Sequence, residues 1–126
     1  MLDSVEWINA TSTVVGTKQL DSSMWFYQCH FVDDPVMPGV LQTEAMLQTI
    51  VTALCLKHQT QAKYCLINKS TVNFFDKIQG SGLLQVTANV DPEKVGMTAA
   101  RASLHFNDRR VASGDFRYIR KNILNI

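Results

Sequence analysis

The stretch Asp34–Lys57, "DPVMPGVLQTEAMLQTIVTALCLK", decides how the rest of the chain must fold. It opens with two prolines and a glycine, which break any regular structure before them. From Val40 to about Lys57 there is neither Gly nor Pro, and good helix formers dominate. Leu41, Ala45, Gln48 and Thr52 lie along one stripe; Val40, Glu44, Leu47, Val51, Leu54 and Cys55 lie along another. Met46, Ile50 and Ala53 are apolar too, so the spacing predicts a helix buried on several sides. Lys57 and His58 then fall at its C-terminus, where positive charge complements the helix dipole.

Beyond this helix the period changes to two. "KYCLINKSTVNFF" (63–75) reads as a strand. "LLQVTANV" (83–90) alternates, with Leu84, Val86, Ala88 and Val90 against Gln85, Thr87 and Asn89. "MTAARASLHF" (97–106) alternates as well, with His105 on its polar side, and "RRVASGDFRYIR" (109–120) is the last strand. Asn107-Asp108 fits a tight hairpin turn. Ahead of the helix, residues 4–20 are rich in Val, Thr and Trp. They read as one bent strand or two short ones, with Gly16 marking a turn or bulge. Residues 21–39 read as a loop. The order implies a single α+β domain over 1–126, one long helix packed on a curled antiparallel sheet. The helix is too apolar for a one-sided contact, so either the sheet wraps it or a second subunit covers it.

Charge and composition remove several function classes. The net charge is +1 and no Lys/Arg cluster is interleaved with aromatics, so nucleic acid is not the expected partner. No run of 18 uninterrupted apolar residues signals a membrane span. "MLDSVEWINA" carries Asp3 and Glu6 and lacks the basic start of a signal peptide, which places the chain in a reducing cytoplasm. Its three cysteines, Cys29, Cys55 and Cys65, have no CxxC spacing; Cys55 and Cys65 read as small buried hydrophobes. His30, His58 and His105 share no ligand spacing, so no metal is expected.

Chemistry concentrates around "WFYQCHFVDDPVMPGVLQTEAMLQ" (25–48). Histidine is suited to accept a proton near neutral pH, which makes His30 a candidate base. A carboxyl among apolar groups is held in its acid form, which makes Glu44 a candidate general acid. The helix start at Gly39 and Val40 offers free N–H groups for a developing oxyanion, and Gly39 lets a substrate approach closely. Taken singly, a loop histidine is commonly structural and a glutamate near a helix start commonly serves the dipole. Spacing alone does not bring the two together.

This segment resembles the active-site region of the 3-hydroxyacyl-(acyl-carrier-protein) dehydratases, the FabA/FabZ family with the hotdog fold. The elements that match are His30-Phe31, Asp34-Pro35-Val36-Met37-Pro38-Gly39, Leu41, Glu44 and Gln48. Cys29 before the histidine is similar to the branch that also isomerises, while Glu44 is as in the branch that only dehydrates. The resemblance implies dehydration of a 3-hydroxyacyl thioester to a trans-2-enoyl thioester in fatty-acid, polyketide or related lipid synthesis. It implies His30 as base, Glu44 as acid, Gly39 and Val40 at the thioester carbonyl, and Gln48 supporting Glu44. It implies no cofactor, an acyl carrier protein as partner, and a dimer whose sites combine His30 and Glu44 from different chains, as a homodimer or with a paralogous hotdog subunit. Candidate basic contacts for the acidic carrier are Arg109, Arg110, Arg117, Arg120, Lys121, Lys63 and Lys69, although ordinary solvated charge is the simpler reading of each. The pair Phe74-Phe75 reads first as core and second as tunnel lining. A hotdog thioesterase and a non-catalytic carrier-binding scaffold are the competing functions.

Overall fold

The computed structural model describes residues 2–8, 12–31, 33–58 and 65–120. Eight elements follow in order: β1 (Ser4–Trp7), β2 (Thr13–Leu20), α1 (Trp25–Cys29), α2 (Gly39–His58), β3 (Cys65–Phe74), β4 (Gly82–Val90), β5 (Met97–Phe106) and β6 (Arg109–Arg120). All six strands join one antiparallel sheet in the order β1-β2-β4-β5-β6-β3. The sheet curls around α2, which is the hotdog arrangement that the resemblance implied.

The period-two reading is borne out residue by residue. Leu84, Val86, Ala88 and Val90 of β4 are buried, and so are Thr98, Ala100, Ala102, Leu104 and Phe106 of β5. Asn107 (φ 49°) and Asp108 (φ 66°) close the β5–β6 hairpin in the left-handed region, which these short polar residues tolerate. The Asn107 side chain also accepts a hydrogen bond from Leu83 N–H at 2.9 Å, which fastens the turn to β4.

The helix departs from its predicted burial. Gln42, Ala45, Met46, Thr49, Ile50, Ala53 and Leu54 form one buried stripe against the sheet. Burying a side chain such as Ile50 or Leu54 contributes about 1.5–3 kcal/mol. The opposite side is open: Val40 is 76% exposed, and Glu44, Thr52 and Leu56 are exposed as well. One chain therefore covers the helix on one face only. By length and composition α2 could cross a membrane, yet its buried stripe is filled by the sheet, so it is the core helix. Two side chains reach over its edges: Trp7 Nε1 donates to Ala53 O at 3.0 Å, and Tyr118 Oη donates to Leu47 O at 3.3 Å.

Three further expectations are corrected. Gly16 sits inside β2, not in a turn or bulge; it is small because Thr49 of α2 occupies the place of its missing Cβ. Residues 21–39 are not all loop, since 25–29 form α1, whose Phe26 and Tyr27 are buried. Cys55 is half-buried beside the core, not within it, and Cys29 is exposed. The side chains of His58 and Cys65 lie outside the described residues.

Candidate active site

The position of His30 is set by the helix before it and the strap after it. Phe26 and Tyr27 anchor α1 in the core, and Tyr27 Oη donates to Gly80 O at 2.9 Å. His30 N–H donates to Phe26 O at 3.0 Å and closes α1. The chain then doubles back, so that Val36 N–H donates to His30 O at 2.7 Å, and Met37 N–H is held by Ile78 O at 2.9 Å. The Asp34 carboxylate accepts from Gln79 Nε2 at 2.6 Å and pairs with Lys77 Nζ at 3.3 Å. The "DPVMPG" strap is thus tied to the β3–β4 connection at two points.

The imidazole is half-buried, with Nδ1 3.4 Å from Val36 O. A carbonyl oxygen only accepts, so this long contact favours the proton on Nδ1 and leaves the lone pair on Nε2. That is the tautomer that a general base requires.

At the start of α2, Pro38 O accepts from Leu41 N–H at 3.0 Å and from Gln42 N–H at 3.1 Å. The N–H groups of Gly39 and Val40 stand at the helix start, ahead of any carbonyl one turn back. The Phe74 ring lies directly over Gly39, where an added Cβ would meet it at 2.9 Å.

His30 and Gly39 share one open cavity of about 420 Å³, lined also by Val36, Met37, Gln42, Phe74, Phe75, Asp76 and Lys77. His30 and the start of α2 are therefore brought together within one chain. Phe74 and Phe75, read first as core, are 51% and 54% exposed and line this cavity. Phe74 ends the edge strand β3 and Phe75 follows it, and each keeps about half its surface open although Gly39 and Arg110 lie against them. Val40 flanks the helix start but points outward.

Glu44 does not join them. It is exposed on the open side of α2, not among apolar groups of its own chain, and it does not line the His30 cavity. Gln48 Nε2 donates to Glu44 Oε1 at 2.8 Å, one helical turn apart. Gln48 and Glu44 are thus in contact, while His30 and Glu44 stand apart within one chain.

Sequence reasoning overlooked Gln42. It is 4% exposed, its Nε2 donates to Met37 O at 3.1 Å, and its Oε1 has no hydrogen-bond partner among the described residues. A buried acceptor left unmade costs about 1–3 kcal/mol. The signal was available: Gln42 stands three, four and seven residues before Ala45, Met46 and Thr49, on the stripe that faces the sheet.

The basic candidates scatter. Arg109 pairs with Asp76 at 3.0 Å and donates to Lys77 O at 3.1 Å, beside the cavity. Arg110 stacks over Phe75 at 4.8 Å. Lys69 and Arg117 line a different depression on the sheet's outer surface. The side chain of Arg120, and all of Lys63 and Lys121, lie outside the described residues. His105 faces away from the core, as its place on the polar side of β5 predicts. No group of three His, Cys, Asp or Glu able to hold a metal occurs among the described residues.

Comparison with known proteins agrees with this fold. The chain is similar to the 3-hydroxyacyl-(acyl-carrier-protein) dehydratase FabZ of Natranaerobius thermophilus, 27% identical over 119 residues, covering 94% of this chain and 84% of that one. Among solved structures it is similar to the dehydratase heterocomplex ApeI:P of Xenorhabdus doucetiae, with a TM-score of 0.65, 21% identity, and 95% and 97% of the two chains covered. It is also similar to zebra fish thioesterase superfamily member 2, with a TM-score of 0.69, 12% identity, and 92% and 80% covered. At such identities the solved structures carry the fold alone. The model of the FabA-like domain matches residues 1–115, and on that match over most of its length the chain belongs to the FabA-like family.

Proposed function

We propose that the protein is a hydro-lyase that dehydrates a 3-hydroxyacyl thioester, presented on an acyl carrier protein, to the trans-2-enoyl thioester. The observation that carries this reading is the cavity that His30 shares with Gly39 at the start of α2. The thioester carbonyl is held at Gly39 and Val40, where the helix terminus stabilises the enolate-like oxygen. His30 Nε2 removes a proton from C2, and that C–H electron pair becomes the C2=C3 double bond. The C3–O bond breaks, Glu44 delivers its proton to the departing hydroxyl, and water leaves. Histidine ends protonated and Glu44 ionised; proton exchange with solvent resets both. No cofactor enters this scheme.

Glu44 comes from a second subunit in this reading. Support lies in two unpartnered surfaces of one chain. The open side of α2 carries Val40, Glu44 and Leu56, and β3 is a ten-residue edge strand exposing Leu66, Ile67 and Phe74. Pairing of β3 edges across a dimer would cover both and carry each Glu44 toward the other chain's His30. The partner is a second copy or a paralogous hotdog subunit. Arg109 and Arg110, beside Asp76, Phe75 and the cavity, are the basic residues best placed to meet an acidic carrier. We place the reaction in the cytoplasm, within fatty-acid, polyketide or related lipid synthesis.

The test is turnover of a crotonyl or short 3-hydroxyacyl thioester by wild type, His30→Ala and Glu44→Gln. Wild type interconverts the two forms, and each variant loses at least about 10²-fold in kcat. Mixing the two variants restores a fraction of the activity, because one site of the mixed dimer is intact. Release of free acid and thiol would instead identify a thioesterase. Binding of acylated carrier without turnover would identify a scaffold.

A further inference from the structure

We infer that the outer face of the sheet, along β6 from Arg110 to Arg117, is the docking surface of the acidic carrier protein. The inference rests on the dehydration reading and deepens it by locating the partner. Alternation builds this face. On β6, Ala112, Gly114, Phe116 and Tyr118 are buried, so Ser113, Asp115 and Arg117 stand on the opposite face. Register sets Arg117 opposite Lys69 of β3 and Ala99 of β5, and Asp115 opposite Thr71 and Arg101. Arg110, near the start of β6, belongs to the same surface, because it lines a depression with Arg101, Ser113 and Asp115. Arg101 and Asp115 also line the next depression, with Lys69, Thr71 and Arg117. The two depressions thus join into one trough. One end of it reaches the active-site cavity, since Arg110 lies over the Phe75 ring at 4.8 Å and Phe75 lines that cavity.

The charges of this trough are not balanced from within. Asp115 is the one carboxylate that lines it, and Asp91 beside it is taken up by Arg101 at 2.9 Å. Lys69, Arg110 and Arg117 form no ion pair among the described residues. Lys69 and Arg117 are moreover direct cross-strand partners, and like charges set opposite one another destabilise a sheet. A pair that costs the fold something, and that nothing in the chain neutralises, fits a negative partner from outside. Length favours a helix as the element that lies there. The row from Arg110 to Arg117 spans roughly 23 Å at the rise of a strand. That is the length of a helix of about fifteen residues. An acidic helix in the trough meets Lys69 and Arg117 at one end and Arg110 at the other. A pantetheine arm leaving at the Arg110 end then enters the cavity over Phe75. The whole chain carries a net charge of only +1, so the positive field is local to this face. A compact acidic protein suits such a field better than a nucleic acid does.

Two measurements on the full chain test this. One is binding of an unacylated bacterial acyl carrier protein, followed by calorimetry. The other is turnover of the 3-hydroxybutyryl thioesters of that carrier and of pantetheine. The variants are Lys69→Glu, the double variant Lys69→Glu/Arg117→Glu, and Arg110→Ser, all on exposed side chains. The double variant should bind the carrier about 10-fold more weakly, with KM for the carrier thioester raised to match. Its kcat should hold, and so should kcat/KM for the pantetheine thioester, which brings no protein. Rising salt should weaken carrier binding by wild type and change the double variant little. Lys69→Glu alone gives Arg117 an opposite charge across the strands. Its melting temperature should therefore stay level or rise while carrier binding weakens, a combination that a merely structural role does not produce. Unchanged carrier affinity and salt response in the double variant would overturn the inference. A loss confined to Arg110→Ser would overturn it too, since contact would then stop at the cavity mouth. So would failure of wild type to bind the carrier, or tighter binding of a single-stranded oligonucleotide. Wild type that binds the carrier through Lys69 and Arg117 but turns over neither thioester would remove the dehydration reading and leave the docking surface standing.

Discussion

At the scale of the residue, the site depends on what small groups leave open. Gly39 permits Phe74 to lie against the helix start, and no side chain fits between them. Gly39→Ala should push the ring aside and spoil the close approach of a carbonyl to the first N–H groups. Losing an oxyanion donor costs about 10²–10³-fold, so a fall of about 10²-fold in kcat/KM is expected with little loss of stability. Steady-state kinetics beside a melting curve separates the two effects. Tyr27 shows the opposite economy, a polar group in an apolar place. Burial pushes its hydroxyl up from 10.0 to about 12. The neutral form is the one favoured by folding, so its contribution is whole below pH 10 and is lost as pH rises toward about 12. Urea unfolding near neutral pH and at about pH 11 should show an alkaline loss in wild type that is smaller in Tyr27→Phe. Near neutrality Tyr27→Phe should be about 1 kcal/mol less stable, for want of the bond to Gly80 O.

At the scale of the element, α2 and β3 are each finished on one side only. The buried stripe of α2 meets the sheet, and its other side presents Glu44 held by Gln48. β3 pairs with β6 along one edge, and no strand among the described residues pairs with its other edge. An unpaired edge with exposed apolar residues is a template for another chain. Ile67 is 50% exposed on that strand. If β3 edges pair as proposed, Ile67→Lys weakens that dimer without unfolding the chain, read as a shift toward monomer in sedimentation velocity at micromolar concentration. Activity should fall with the dimer, because a lone chain holds His30 and Glu44 apart. Full activity in a proven monomer would sink the shared-site mechanism.

At the scale of the whole molecule, regular repetition was legible in the sequence and singular contacts were not. The helix from about Val40 and the strands β4, β5 and β6 follow from apolar spacing, because burial on one face repeats at the element's own period. The Asn107-Asp108 turn was legible for a similar local reason. α1 was missed because five residues are too few to show a period, and its burial comes from distant partners. The role of Gly16 depends on Thr49, thirty-three positions later, which no local pattern reveals. Of the site, His30 and Gly39 were legible and do share a cavity. Gln42 was passed over because polar residues are ordinarily read as surface. That the helix is apolar on several sides was legible, but whether the sheet or a second subunit covers it was not, since composition records how apolar an element is and not whose surface covers it.

The strand order has one more consequence, for how the chain is born. β3 precedes β4, β5 and β6, yet its neighbour in the sheet is β6, the last strand to be made. β2 likewise waits for β4. When the ribosome has completed α2, only β1 and β2 of the sheet have been made, and β3 to β6 are still to come. The apolar stripe must stay soluble through the synthesis of some sixty further residues. A nascent chain of this topology is thus a natural client for chaperones that shield exposed apolar helices.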